Sequence, residues 1–119
     1  MATPNIVSVA TINAVNAAAA ITTSRAAAID VAAEKVAKVN TILVCNIDGT
    51  NAADVTIEVS IDNGSNFVAI ASTISVPADA TLSFLETPIY LDETDLLYFT
   101  ASANSDLTYF VSYETLDDA

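Results

Sequence analysis

The chain has 119 residues, of which 53% are hydrophobic and 15% charged, and this composition fits one globular domain. Lys and Arg number 3 against 15 Asp and Glu, which gives a formal charge of −12, and neither His nor Trp occurs. Because Lys and Arg hold nucleic acids and anionic membranes, we expect no nucleic acid and no membrane surface as a partner. No run of 18 residues lacks a polar interruption and the start is not basic, so neither a membrane span nor a secretion signal is predicted.

The first segment, residues 1–16, contains Ile6, Val7 and Val9 but no tight turn that would join it to the chain that follows. We predict an extended N-terminal arm or edge strand over residues 1–16, and a single β-sandwich domain over residues 17–119. Chain ends usually fray unless other residues hold them in place. An extended arm would therefore be ordered by contact with another subunit, which makes it a candidate contact segment.

The Ala-rich segment of residues 14–38 is ambiguous. Its Ala content, with Glu34 four residues before Lys38, favours a helix. Against this, no long apolar stripe recurs at the 3.6-residue spacing of a helix, and residues 36–47 have an extended pattern. We predict strands and loops here, with a short helix over residues 26–37 as the alternative.

The single cysteine, Cys45, stands in the apolar run of residues 41–46, and one cysteine excludes a disulfide within the chain. No basic residue next to it would favour a reactive thiolate. We therefore expect Cys45 to pack in the core as a small hydrophobic side chain.

The clearest predicted strand covers residues 54–61, where apolar and polar side chains alternate. Asn63-Gly64 follows, a dipeptide that favours the type I′ turn of a two-residue hairpin loop. This turn leaves Phe67 on the outer face of the hairpin, where water or a neighbour must cover the ring, so Phe67 is a candidate contact residue. The resulting register pairs Val59 with Val68 and Ile57 with Ile70.

Turn signals separate the shorter predicted strands that follow. Pro77 and Asp79 divide residues 74–84 into strand, turn and strand, and Pro88 opens a short strand that residues 92–95 close. Short strands at this spacing predict an all-β fold, an antiparallel β-sandwich of jelly-roll type.

A second hairpin is predicted between residues 95–103 and 107–115, a region with five of the eight aromatic residues. Its register places Phe99 opposite Phe110 and gives the hairpin two apolar faces, each of which needs a cover. One cover is the sandwich core, and the other is a neighbouring subunit or a second layer of the same domain. The candidate interface residues are Ile6, Val7, Val9, Phe67, Tyr98, Phe99, Tyr109, Phe110 and Tyr113.

Several segments resemble small virion structural proteins of tailed bacteriophages, in particular of marine cyanophages. These segments are residues 1–12 (MATPNIVSVATI), 40–58 (NTILVCNIDGTNAADVTIE), 71–82 (ASTISVPADATL), 87–95 (TPIYLDETD) and 100–104 (TASAN). The resemblance implies a non-enzymatic β-sandwich that decorates and cements the capsid, with a neck or tail subunit as the alternative. It also implies a virion location after assembly in the host cytoplasm. We expect a homo-oligomer, first of all a trimer, in contact with the major capsid protein.

The residues themselves indicate no catalytic or metal site, and we expect neither an enzyme nor a cofactor. Ser and Thr have no His to activate them, and the acids are spread along predicted turns and outer faces.

The acidic segments 48–54 and 92–95 lack the spacing of a calcium loop, so we interpret them as turns. Calcium binding where acidic loops of several subunits meet stays open. Glycan-binding adhesion is a further alternative, with Phe67 and Tyr90 as its aromatic candidates.

Overall fold

The computed structural model describes residues 9–118, which form nine strands and no helix. The all-β prediction is therefore confirmed, and the Ala-rich segment is strand and loop as predicted. None of the described residues belongs to a helix long and apolar enough to cross a membrane. The strands are β1 Val9–Ala20, β2 Ala26–Asp30, β3 Lys35–Asn46, β4 Ala53–Ser60, β5 Val68–Val76, β6 Thr81–Ser83, β7 Ile89–Leu91, β8 Leu96–Ala101 and β9 Leu107–Asp118.

The strands form two antiparallel sheets, as predicted for a sandwich. The first sheet has the order β1-β9-β3-β6, with β7 also paired to β3, and the second has the order β2-β8-β4-β5. The pairs are nested along the chain: β1 pairs with β9, β2 with β8, β3 with β6 and β7, and β4 with β5. This order leaves β1 at one edge of the first sheet and β5 at one edge of the second.

The core lies between the sheets and takes alternate residues of the long strands, as the side-chain period of a strand requires. In β3, Ala37 and Val39 are buried, and so are Ile42 and Val44 beyond a register shift at Asn40. The extra residue shifts the alternation of side chains by one position, so odd-numbered residues face the core before it and even-numbered residues face the core after it. Each fully buried Val, Leu or Ile side chain stabilises the fold by about 1.5–3 kcal/mol.

The predicted hairpin between residues 95–103 and 107–115 is wrong. β8 pairs with β4 and β2 in the second sheet, whereas β9 pairs with β3 and β1 in the first. The two strands therefore face each other across the core, where the rings of Phe99 and Tyr109 stack at 4.5 Å between centroids. Apolar periodicity shows which face of a strand is buried. It does not show whether two such strands pair side by side in one sheet or face each other across the core from two sheets, because both arrangements bury the apolar faces.

The hairpin of β4 and β5 is confirmed, but its loop and part of its register differ from the prediction. Val59 pairs with Val68 as predicted, whereas Ile57 pairs with Ala71 instead of Ile70 because an irregularity between Ile57 and Glu58 shifts the register. A second irregularity lies between Val55 and Ile57. The loop covers residues 61–67 instead of two residues. Asn63 and Gly64 still supply two positive φ angles, 58° and 86°.

Cys45 also differs from the expectation of core packing. It is half-buried, and its neighbours along β3, Val44 and Asn46, are buried. Because side chains alternate along a strand, Cys45 faces the outer side of the first sheet. The hydrophobic run of residues 41–46 thus covers both faces of one strand.

Candidate interaction surfaces

The predicted interface residues occupy separate parts of the structure. Ile6 and Val7 lie outside the described residues, and Val9 is the half-buried first residue of β1. Phe99 is buried in the core, with Tyr109 and Tyr113 packed against the core cluster. Phe67 and Tyr98 meet beside the second sheet, and Phe110 is exposed on the outer face of the first sheet. The structure therefore brings together only subsets of the nine residues.

The Phe67 ring is part of a compact cluster with Arg25, Glu58 and Tyr98. The Arg25 guanidinium carbon lies 3.8 Å from the Phe67 ring centroid, and the Tyr98 ring meets Phe67 edge-on at 5.0 Å. Arg25 Nε and Nη2 donate to the two carboxylate oxygens of Glu58 at 2.8 and 3.0 Å, and these bonds raise the pKa of Arg25. One face of the Phe67 ring is thus covered within the chain, which weakens the case for sugar stacking on it.

The first open surface is the β5 edge, which we define as Val68, Ile70 and Ile74. Their side chains are 60%, 46% and 40% exposed, although each is a large hydrophobic residue. Val68 and Ile74 are paired with Val59 and Val55, and directly paired residues point to the same side of a sheet. Because Val55 is in the core, the inner face of β5 carries apolar side chains that the fold leaves exposed.

The exposure of β5 follows from the short strands on the same side of the sandwich. β6 and β7 have three residues each, and both pair with β3 instead of forming one long edge strand. They cannot cover the nine residues of β5. The strand carries no charged residue and no Pro from Val68 to Val76. Of the usual protections of an edge it has only two register irregularities, which lie between Ala69 and Ile74.

The second open surface is the β1 edge, which we define as residues 14–20, with the sequence AVNAAAA. β1 is a charge-free strand of twelve residues that pairs with β9 along its length. A shallow depression of about 560 Å³ lies at its end, lined in part by Ala18, Ala20, Leu43, Cys45 and Phe110. A smaller one of about 140 Å³ is lined by residues of β1 and β2 together with Phe99 and Tyr109. The β1 edge therefore combines small side chains with apolar hollows.

The two acidic segments form turns, as predicted. Asp48 accepts hydrogen bonds from the backbone N–H groups of Thr50 and Asn51, which lower the pKa of Asp48. In the second segment, Asp95 Oδ2 accepts from the Asp92 N–H at 2.9 Å. Within residues 9–118, no three Cys, Asp or Glu side chains are grouped so that they could hold a metal ion.

Sequence reasoning missed two buried polar side chains that hold loops in place. Asn46 is buried at the end of β3 and bonds to both sides of the following loop. Glu93 is buried and accepts the Glu34 N–H through Oε2 at 2.9 Å, while Glu93 Oε1 is buried without a hydrogen-bond partner among the described residues. The sequence signal for Asn46 was its position at the end of an apolar run, before Asp48-Gly49. Nothing in the sequence marked Glu93 as buried.

Comparison with known proteins finds similarity of structure alone. No protein-family model and no curated protein matches the chain. A protein of Bacillus endospore appendages, which form disulfide-linked pili, has a TM-score of 0.57 and 15% identity, over 92% of this chain and 88% of that one. The core of Drosophila NLP, studied for pentamer formation and histone binding, has a TM-score of 0.47 and 16% identity, over 87% and 96%. A pentameric capsid protein from metagenomic phage sequences has a TM-score of 0.40 and 14% identity, over 86% and 60%. At these identities, the endospore-appendage protein shares the fold, and the other two carry no argument.

Proposed function

We propose that this protein is a non-enzymatic structural subunit that assembles with copies of itself on a virion, as a decoration or cement protein of the head. The observation that carries the proposal is the pair of exposed, charge-free sheet edges on an otherwise acidic chain. Proteins of this kind act by burying surface against neighbours, and specific interfaces bury about 1,200–2,000 Å² in total. Such a role needs no catalytic group.

The charge distribution supports self-assembly through these edges. The chain has three cations, and two of them, Arg25 and Lys35, pair with Glu58 and Asp117 of the same chain. Most of the 15 acids therefore have no cation to balance them. Copies of such a chain repel each other wherever acidic surfaces meet, so uncharged surfaces are the favourable places for contact.

The fold is compatible with this role. The endospore-appendage protein, which has the same fold, belongs to pili, which are structural assemblies. The nested strand pairs support the jelly-roll interpretation, since that fold wraps a long antiparallel ribbon into two four-stranded sheets. A trimer and contact with the major capsid protein are the finer parts of the proposal, and they rest on the sequence resemblance. Of the predicted arm or edge strand of residues 1–16, residues 9–16 belong to β1 and pair with β9 of the same chain.

The decisive experiment is quantitative mass spectrometry of purified virions that carry the gene, with the recombinant chain as the standard. A fixed number of hundreds of copies per particle supports head decoration, and about a dozen supports a neck position instead. Absence from particles, or turnover of a substrate by the purified chain, would contradict the proposal. Sedimentation velocity of the recombinant chain tests self-assembly separately.

A further inference from the structure

The two charge-free edges lie on opposite sides of the sandwich. β1 ends the first sheet and lies near β2, which ends the second sheet on the same side. β5 ends the second sheet on the other side, beyond β4, and lies near β3. A copy that offers one edge to a neighbour therefore keeps the other edge free for a second neighbour.

The β1 edge lacks every common protection against pairing with another strand. An edge strand presents unpaired N–H and C=O groups, and natural proteins block such edges with charges, Pro, bulges or short length. From Ala14 to Ala20, β1 has no charge and no Pro, and its register with β9 is regular over all seven residues. A regular, neutral edge of this length is suited to receive a strand.

The side chains of the two edges are complementary in size. The β5 edge carries Val68, Ile70 and Ile74, which are large and exposed, whereas the β1 edge is mainly Ala beside two apolar hollows. Large side chains opposite small ones interdigitate and bury more area than Ala opposite Ala. Pairing β1 with β1 would leave the exposed residues of β5 uncovered, and pairing β5 with β5 would leave the β1 edge open.

We propose, on the basis of the function proposed above, that the occupant of the β1 edge is strand β5 of a second copy, added as a further strand of the sheet. Each copy thus gives its β5 edge to one neighbour and its β1 edge to another. This contact is heterologous, so repetition closes a ring or extends a filament. One type of contact covers both uncharged edges and keeps the acidic surfaces free.

The test uses two variants that each block one edge with a carboxylate. Ala18→Glu places the charge on the β1 edge and Ile74→Glu places it on the β5 edge, and both wild-type side chains are exposed. A charge on an edge strand opposes pairing without removing a core side chain. Far-UV circular dichroism and thermal melting check the fold. If either variant unfolds, Asn16→Glu or Ser72→Glu replaces it, since both positions are exposed on the same strands.

Head-to-tail pairing predicts a distinctive result in sedimentation velocity. Wild-type chain forms rings or filaments, and each variant alone stays monomeric, because every contact needs one intact edge of each kind. An equimolar mixture forms a one-to-one dimer that does not grow. The intact β5 edge of the Ala18→Glu chain pairs with the intact β1 edge of the Ile74→Glu chain.

Three results would overturn the inference while leaving the proposed function intact. If Ile74→Glu alone forms a dimer, β1 pairs with β1; if Ala18→Glu alone does so, β5 pairs with β5. If both variants assemble as the wild type does, the contact lies elsewhere. A wild-type chain that is monomeric contradicts the self-assembly in the proposed function as well as this inference, and absence from particles contradicts the virion role.

Discussion

At the scale of single residues, Asn46 fixes the loop that joins the two sheets. Its Nδ2 donates to the carbonyl oxygens of Asn51 and Val76, each at 2.9 Å, and its Oδ1 accepts the Asp48 N–H at 2.9 Å. Asn46 is 1% exposed, so water cannot readily replace its hydrogen bonds to these partners. A buried amide with all these bonds formed links the end of β3 to the end of β5.

Replacing Asn46 by Leu, which has a similar volume, removes three hydrogen bonds and leaves buried groups unpaired. We expect the free energy of unfolding to fall by about 2–3 kcal/mol, measured by urea denaturation. Asn51→Ala is the matched control, because the exposed Asn51 side chain makes one long bond of 3.4 Å to Asp48. Equal losses in the two variants would show that the buried network of Asn46 is not what fixes the loop.

Asp95 and Asp48 are expected to give stability changes of opposite sign with pH. Burial, followed by the nearby Asp92 carboxylate, raises the pKa of Asp95 despite its bond from the Asp92 N–H. The folded chain therefore holds that proton more tightly than the unfolded chain. Stability is lost as pH rises from the ordinary Asp pKa of about 3.9 through the raised value.

Asp95→Asn removes this loss and keeps an oxygen that can accept the Asp92 N–H. We expect the variant to gain stability relative to wild type as pH rises from about 3.9 towards neutrality, in urea unfolding at a series of pH values. Asp48→Asn is the control with the opposite sign, because bonds from Thr50 and Asn51 lower the pKa of Asp48. That variant is less stable than wild type at neutral pH, and its deficit shrinks as pH falls. A pH-independent difference for Asp95→Asn would contradict the assignment.

At the scale of elements, the loop between β4 and β5 depends on one of the two glycines. Gly64 has φ of 86°, and a Cβ there would lie 3.3 Å from the Tyr98 hydroxyl. We expect Gly64→Ala to lower the free energy of unfolding by about 1–2 kcal/mol, because an L side chain is strained at this angle. Gly49 lies in another turn, where a Cβ would meet Asp79 at the ordinary contact distance of 3.4 Å. Gly49→Ala is therefore the control. If thermal melting shows that Gly49→Ala lowers the melting temperature more than Gly64→Ala, the strain at Gly64 does not limit the stability of the loop.

The strands were predictable from the sequence to the extent that their signals are local. Alternation identified β4, and Pro77, Pro88 and Asn63-Gly64 marked turns that the structure contains. The partners of β8 and β9 were not predictable, because one apolar face fits both a paired strand and a stacked one. The partner of Ile57 is Ala71 instead of Ile70 because of a register irregularity in β5. No residue pattern in the sequence marks that irregularity.

The candidate surfaces were less predictable than the strands. The apolar character of β5 is visible in the sequence, but its exposure depends on the shortness of β6 and β7. Tyr109 and Phe110 are adjacent in the chain, yet one stacks on Phe99 in the core and the other is exposed. Only the assignment of strands to sheets decides which of two neighbouring rings faces the core.

At the scale of the whole molecule, net charge and the position of the uncharged edges together predict how salt affects assembly. A formal charge of −12 makes copies repel each other at long range. The proposed contact through β1 and β5 contains no ion pair, because both strands lack charged residues. Added salt therefore screens the repulsion without weakening any attraction across the contact.

We expect the self-association of the chain to strengthen several-fold as NaCl rises from about 0.01 M to about 0.15 M, because the Debye length falls from about 30 Å to about 8 Å. Sedimentation equilibrium at both concentrations measures the change in the dissociation constant. Circular dichroism at the same concentrations separates assembly from folding, since screening also relieves repulsion within one chain. Weaker association in salt would mean that ion pairs cross the interface. The contact would then involve Lys38 or the acidic loops, because Arg25 and Lys35 already pair within the chain.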